Sequence, residues 1–240
     1  MSTRTGLGYK NAMSNEMQTA PAPESGQDDG FEAARAAILE EALKQAAFDG
    51  WTPLGMRRAA ASAAVDEATL AAAFPAGVAD LLDFWSGRSD AAMTAAMTGP
   101  DFAALRVREK VAFAVKARLA AIRPHKEAAR RAAAMLALPA YAGRAARLAW
   151  RTANAIWRGL GDKSTDFNFY SKRAILAGVW TSVFAFWLGD DSEDESATAE
   201  FLEARIANVM EFEKLKSRVR DMDLDPRKVV EILAKRRYPA

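Results

Sequence analysis

Between Ala174 and Leu188 the chain reads AILAGVWTSVFAFWL, an apolar run of about 15 residues. At helical pitch it places apolar groups on nearly every side of one helix, and such a helix belongs in the middle of a bundle. A bilayer-spanning helix needs roughly 18 or more apolar residues. The run therefore predicts a buried helix in a soluble or membrane-peripheral protein. Alanine dominates the other segments and strand-like alternation is missing, so the fold class is all-α. With 240 residues, half of them apolar, one domain with a sizeable core is expected.

Breakers divide the remainder. A first helix is expected from about Phe31 to Phe48, with Ile38, Leu39, Leu43 and Ala46 at helical spacing and Asp49-Gly50 as its stop. Thr52-Pro53 opens a second, and Asp66 caps a short third that ends near Phe74-Pro75. Gly77 to Met97 is a fourth. Asp101 caps a fifth that runs unbroken to Ile122 with a stripe of Val111, Val115, Leu119 and Ile122. Pro124 and Pro139 open the sixth and seventh. The eighth starts near Asp166 and reaches Leu188, the ninth covers about Thr198 to Val219, and Asp225-Pro226 opens a short tenth. Residues 1–30 read as a disordered tail without a secretory signal. Short connections imply antiparallel neighbours.

Little in the sequence points to autonomous catalysis. No cysteine is present, so thiolate chemistry and disulfides are absent. The single histidine, His125, has no GxSxG or cysteine nucleophile beside it, and one histidine cannot supply the two Glu-x-x-His motifs of a di-iron bundle. Asp221, Asp223 and Asp225 imitate a calcium loop until Pro226 stands where glycine is required and Ile232 where glutamate is required. The acidic run Asp190–Glu195 reads as a solvated loop. The chain is expected to bind rather than catalyse, with no cofactor and no metal of its own.

The segment 38–76 carries a helix from Ile38, the break Asp49-Gly50-Trp51, Met56 to Ala64, a turn into Val65-Asp66, and Thr69-Leu70-Ala71-Ala72-Ala73-Phe74-Pro75. It resembles the helix-turn-helix unit of TetR-type regulators. The would-be recognition helix, Asp66 to Phe74, holds two acids and no Lys or Arg, so phosphates would be repelled. With a net charge of +2, from 33 basic and 31 acidic residues, no nucleic-acid partner is expected. Arg57 and Arg58 read as a solvated face.

Six Trp and twelve Phe supply large flat side chains. Trp150, Trp157, Trp180, Phe184, Phe186 and Trp187 face helices rich in small residues: Ala128, Ala129, Ala132, Ala133, Ala134, Ala145 and Ala146. Two outcomes stay open: a tightly filled core, or a long apolar cavity of the kind that holds ligands between bundle helices. The eighth helix begins with Ser164, Thr165 and Asp166, all good N-caps, and Phe169, Tyr170 and Arg173 share one face.

The stretch WRGLGDKSTDFNFYSKRAILAGVW, followed by TAEFLEARIANVM, resembles the Coq-nine family of ubiquinone biosynthesis accessory proteins. The matching residues are Gly161-Asp162, Ser164-Thr165-Asp166, Asn168, Tyr170, Lys172-Arg173, Thr198, Phe201-Leu202 and Arg205-Ile206. The resemblance implies a TetR-like helical bundle with a degenerate N-terminal helix-turn-helix unit. The division would be a tail (1–30), the degenerate unit (31–76), a lipid-binding bundle (77–222) and a short amphipathic C-terminal helix (225–238). It implies a non-catalytic homodimer that binds an isoprenoid quinone or other lipid at the inner membrane and presents it to a di-iron quinone hydroxylase. A cytoplasmic, membrane-peripheral location is expected.

The lipid is expected against Val115, Leu119, Trp150, Trp157, Leu176, Val179, Trp180, Val183, Phe184 and Trp187. The hydroxylase patch, by matching position, comprises Asp166, Phe169, Tyr170 and Arg173; Phe169 replaces the Trp of animal members. The membrane would meet Arg227, Lys228, Val229, Val230, Ile232, Leu233 and Arg236, although a terminal helix docked on the body fits that segment equally well. A ligand-responsive TetR-type transcription regulator is the alternative reading.

Overall fold

A computed structural model describes residues 25–165 and 167–221. Among them every regular element is a helix. The ten α-helices are α1 (Ser25–Asp49), α2 (Pro53–Ser62), α3 (Glu67–Ala73), α4 (Val78–Ala96), α5 (Pro100–Ala104), α6 (Val107–Ile122), α7 (Lys126–Leu136), α8 (Ala142–Gly159), α9 (Phe167–Leu188) and α10 (Ser196–Asp221). Short 3₁₀ turns precede α7, α8 and α10.

The local starts and stops are chemical. Thr52 caps α2 by accepting the Gly55 N–H at 3.0 Å, with Pro53 at the first position where no amide is needed. Asp66 caps α3 by accepting the Thr69 N–H at 2.9 Å. The end of α8 is a Schellman closure. The Gly161 N–H donates to Arg158 O (2.9 Å) and the Asp162 N–H to Trp157 O (3.0 Å), which requires the positive φ of +79° at Gly161.

Three expectations need correction. The helix drawn from Asp101 to Ile122 is two helices, α5 and α6. Leu105 and Arg106 are extended, and the Glu109 carboxylate accepts the Arg106 N–H at 2.8 Å, so a new helix nucleates there. The first helix begins earlier than Phe31, at Ser25. The α9 run is not enclosed on all sides: Ala174, Gly178, Thr181 and Ala185 form an exposed stripe. The bundle covers most large side chains of α9, Tyr170 and Phe186 excepted, and leaves these small ones, which have little to gain from burial, facing out. The helix expected over 225–238, with its membrane residues, lies outside the described residues.

The helices α1, α2 and α3 form the helix-turn-helix-like unit, and α1 also packs on α7. In the larger body α4 lies against α6 and α8, and α9 against α8 and α10, with contact to α7. One continuous core joins the two parts, from Ile38 and Met56 through Leu81, Met93 and Val115 to Ile156, Val183, Trp187 and Leu202. Trp51 ties the unit to the body, donating from Nε1 to Ala128 O at 2.9 Å and packing on Trp85 with ring centroids 5.4 Å apart. The carboxyl end of α9 is held by cations from α7: Arg130 donates to Leu188 O and Lys126 to Asp190 O.

Candidate functional site

A cavity of about 410 Å³ opens between α4, α6, α7, α8 and α9. Its walls follow from side-chain size. The inward face of α7 offers only Ala129, Ala132, Ala133 and Leu136, and α8 contributes Ala145, Leu148 and Ala149. Methyl groups cannot reach across to the Trp85 ring on α4 or to Trp180 and Phe184 on α9, so space remains between them. Trp180 and Phe184 stack on each other at 5.4 Å and 25°. Ala137, Thr181 and Ala185 are the exposed lining residues and mark the mouth.

Three buried polar residues, Ser89, Arg118 and Thr152, interrupt the largely apolar lining. Arg118, 4% exposed, lines the cavity and donates from Nε to Asp90 Oδ1 at 2.7 Å. Its Nη2 reaches Ser86 O (3.3 Å) and Ser86 Oγ (3.2 Å), and its guanidinium lies 5.2 Å from the centre of a Trp180 ring. Thr152 donates its hydroxyl to the same Asp90 oxygen at 2.8 Å. Arg118 Nη1 is buried with no hydrogen-bond partner. Burial pushes the Arg118 guanidinium below its usual range, and the Asp90 charge opposes that shift.

Of the ten expected lipid-lining residues, only Trp180 and Phe184 line the cavity. Val115, Leu119, Leu176, Val179, Val183 and Trp187 are buried in the packed core instead. Trp150 is half-buried and stacks on Tyr170 at 6.2 Å, and Trp157 donates from Nε1 to Lys172 O at 3.2 Å. Trp85, Ser86, Ser89, Arg118 and Thr152 were absent from the expected set. One signal for them lay in register: Arg118 follows Val111 and Val115 on the apolar stripe of α6, where a charge needs a buried partner.

The decorated segment before α9 is a staple. Asp162 accepts from Ser164 Oγ (2.6 Å), Lys172 Nζ (3.1 Å) and Arg173 Nη1 (3.1 Å). Arg173 is 1% exposed. It also donates to Asn154 Oδ1 (2.8 Å) and Phe169 O (3.1 Å) and lies 3.5 Å from the centre of the Phe169 ring. Its expected place on a surface patch is therefore corrected: the guanidinium is drawn inward by three acceptors and a ring, and it joins α8 to α9. Tyr170 is 61% exposed and meets the half-buried Phe169 ring edge-on at 5.1 Å, so of the aromatic residues expected in the patch Tyr170 alone is fully presented. Asp166 lies outside the described residues. The acidic loop is likewise structural at Asp190, whose carboxylate accepts from Ser192 and Thr198 and caps the start of α10.

The Ser164 hydroxyl, with the Lys172 and Arg173 cations, holds the Asp162 carboxyl down from its usual 3.8 to about 2. A carboxylate depressed in the folded state stabilises above the unfolded value and loses that effect as pH falls through the folded one. Asp162→Asn is therefore expected to lower the melting temperature at neutral pH. The gap between variant and wild type should close between about pH 4 and pH 2. Melting curves across that window check this; a gap that does not depend on pH contradicts it.

Residues 142–213, which span α8, α9 and most of α10, match the family model described as COQ9. That segment of the chain is similar to the COQ9 family. It is 33% identical over 117 residues to the probable ubiquinone biosynthesis protein coq9, mitochondrial, of Dictyostelium discoideum, covering 49% of this chain and 38% of that protein. It is 36% identical over 97 residues to the mitochondrial ubiquinone biosynthesis protein COQ9 of Bos taurus, covering 40% of this chain and 30% of that one. The Drosophila melanogaster COQ9 is 28% identical over 221 residues, covering 90% of this chain and 66% of its own length. The chain thus spans about a third of the Dictyostelium and bovine relatives. The fold is similar to a crystal structure of the TetR transcriptional regulator from Nitrosomonas europaea, with a TM-score of 0.60 at 21% identity, over 73% of this chain and 97% of that one. The segment similar to COQ9 supplies the α8 and α9 walls of the cavity; α4, α6 and α7, with the Arg118–Asp90 pair, come from outside it. Among the described residues no helix is long and apolar enough to cross a membrane.

Proposed function

We propose that the chain is an accessory protein of ubiquinone biosynthesis that holds an isoprenoid quinone intermediate or a similar lipid and presents it to a di-iron quinone hydroxylase at a membrane surface. The observation that carries this is the alanine- and aromatic-lined cavity, partly walled by the segment similar to COQ9. Its volume of about 410 Å³ suits a ring with a short length of prenyl chain. The reading takes the protein as non-catalytic and working as a homodimer. The charge of α3, with Asp66 and Glu67 at its start, argues against the DNA-binding alternative. Native purification followed by solvent extraction and mass spectrometry tests the reading. Isoprenoid lipid is expected in stoichiometric amount, and protein devoid of apolar lipid overturns it.

The exposed Tyr170 ring, with the half-buried rings of Phe169 and Trp150 beside it, forms the docking patch in this reading. Aromatic anchors of this kind carry much of an interface's energy. Tyr170→Ala is expected to weaken capture of the hydroxylase by roughly tenfold or more while the melting temperature changes little. A pull-down titration with a parallel melting curve checks it; unchanged capture removes this patch from the mechanism.

A further inference from the structure

Residues 142–188, which cover α8 and α9, hold seven Lys and Arg against two Asp, whereas the remaining 193 residues hold 26 against 29. The positive charge of the chain is gathered on this part. Some of it is spent internally: Lys172 and Arg173 meet Asp162, and Arg144 meets Asp80 and Asp83 at 3.3 and 2.8 Å. Arg147, Arg151 and Arg158 are not spent. They stand four and seven residues apart, in one row about 16 Å long on the outer face of α8. All three are exposed, and among the described residues none of them has a hydrogen-bond or ion-pair partner. The helices around them offer no spare carboxylate. α8 and α9 carry no acid, those of α4 are held by Arg144 and Arg118, and Glu127 of α7 is held by Arg130 and Arg131. Arg151 also rests against α4 where Gly87 has no side chain, its Nη2 3.2 Å from the place a Cβ would take.

We propose that this row receives an acidic segment of the hydroxylase, so that the docking surface extends from the Tyr170 patch across the outer face of α8. The inference rests on the docking reading above and adds what the partner must present: carboxylates facing three guanidinium groups, beside a seat for the Tyr170 ring. The two parts are continuous. Trp150 lies on α8 between Arg147 and Arg151 in sequence and stacks on Tyr170 at 6.2 Å and 30°. Tyr, Trp and Arg are the side chains that protein interfaces favour, and a guanidinium meets a carboxylate through two parallel hydrogen bonds. An anionic bilayer is the other surface such a row could meet. The remaining exposed residues of α8 are Ala142, Gly143, Ala146 and Gly159. None of them is a bulky apolar group able to enter the acyl region, so the face suits a protein better. Charges of this kind act chiefly on encounter, by steering the partner in, and salt screens them.

Surface plasmon resonance with purified hydroxylase and the full chain, at about 50 and about 500 mM salt, reads both rates. The wild-type association rate is expected to fall by about tenfold between the two conditions. The triple variant Arg147→Gln with Arg151→Gln and Arg158→Gln changes exposed positions only. It is expected to associate about tenfold more slowly than the wild type at the lower salt and within about threefold of it at the higher, with a dissociation rate changed by less than about threefold. Tyr170→Ala is expected to act the other way, speeding dissociation and keeping the salt dependence. A wild-type rate indifferent to salt overturns the inference, as does a triple variant that associates as fast as the wild type. Equal slowing by Arg57→Gln with Lys116→Gln, two exposed cations on α2 and α6, also overturns it, because net charge alone would then account for the effect. Flotation on phosphatidylcholine vesicles with and without about 30% phosphatidylglycerol supplies the membrane arm. A triple variant that no longer floats with anionic vesicles yet captures the hydroxylase normally assigns the row to the bilayer and overturns the proposal. In that outcome weakened capture by Tyr170→Ala leaves the docking reading standing, whereas a wild type that captures no hydroxylase at either salt overturns both.

Discussion

Asp90→Ala is expected to destabilise the fold by about 3–5 kcal/mol, the cost of leaving one member of a buried ion pair alone. Asp90 accepts from both Arg118 Nε (2.7 Å) and Thr152 Oγ1 (2.8 Å), and all three residues are buried. Alanine would strand the Arg118 cation with only Ser86 to meet it, and the Thr152 hydroxyl with nothing. For a chain of this size the loss corresponds to a melting temperature lower by roughly 10 °C. Removing both charges together, as in Arg118→Met with Asp90→Asn, is expected to cost far less, because neither partner is left unpaired. Urea titrations of the single and double variants check the contrast. A single variant as stable as the double one contradicts the description of a desolvated pair.

The second large effect concerns alanines only five residues apart on α7. Ala133→Phe is expected to fill the cavity and reduce retained lipid by tenfold or more, with stability changed by less than about 1 kcal/mol. Ala128→Phe is expected to destabilise the fold by about 1–3 kcal/mol or more. Ala133 lines the cavity, so its added ring has space to occupy. Ala128 is fully buried, lies against the core, and its carbonyl accepts the Trp51 Nε1 hydrogen bond, so an added ring must displace packed atoms. Lipid mass spectrometry beside urea denaturation reads both quantities. Equal destabilisation by the two substitutions would mean that the space beside Ala133 is no better able to take a ring than the core beside Ala128.

Much of the local fold is legible in residue order because helix ends are local chemistry. Thr52-Pro53, Asp66, Gly77 and Gly161 mark ends that the structure places within a few residues. The break at Leu105 was missed because its cause, Glu109 reaching back to the Arg106 amide, competes with an otherwise continuous helical pattern. The site was less legible. The alanines of α7 and α8 were recognisable as a thin wall, and Trp180 and Phe184 as its facing rings. Which other aromatics meet the open space depends on the rotation of each helix. Trp187, only three residues beyond Phe184, turns into solid core. Arg173 shows the same limit, since its spacing beside Tyr170 suggested a shared surface while Asp162 and Asn154 pull its guanidinium inward.

By itself the sequence determined that the chain folds as helices, where most of them start and stop, and that large rings would face small side chains. These follow from propensity, capping and periodicity, all of which act within a few residues. Tertiary structure alone decided that the rings and methyl groups leave a cavity, that Arg118 joins its largely apolar lining, and that Asp90 and Arg118, 28 positions apart, share one hydrogen bond. Those outcomes depend on how five helices are rotated and spaced against one another. That is a balance of packing summed over the whole bundle, and no short stretch of residues encodes it.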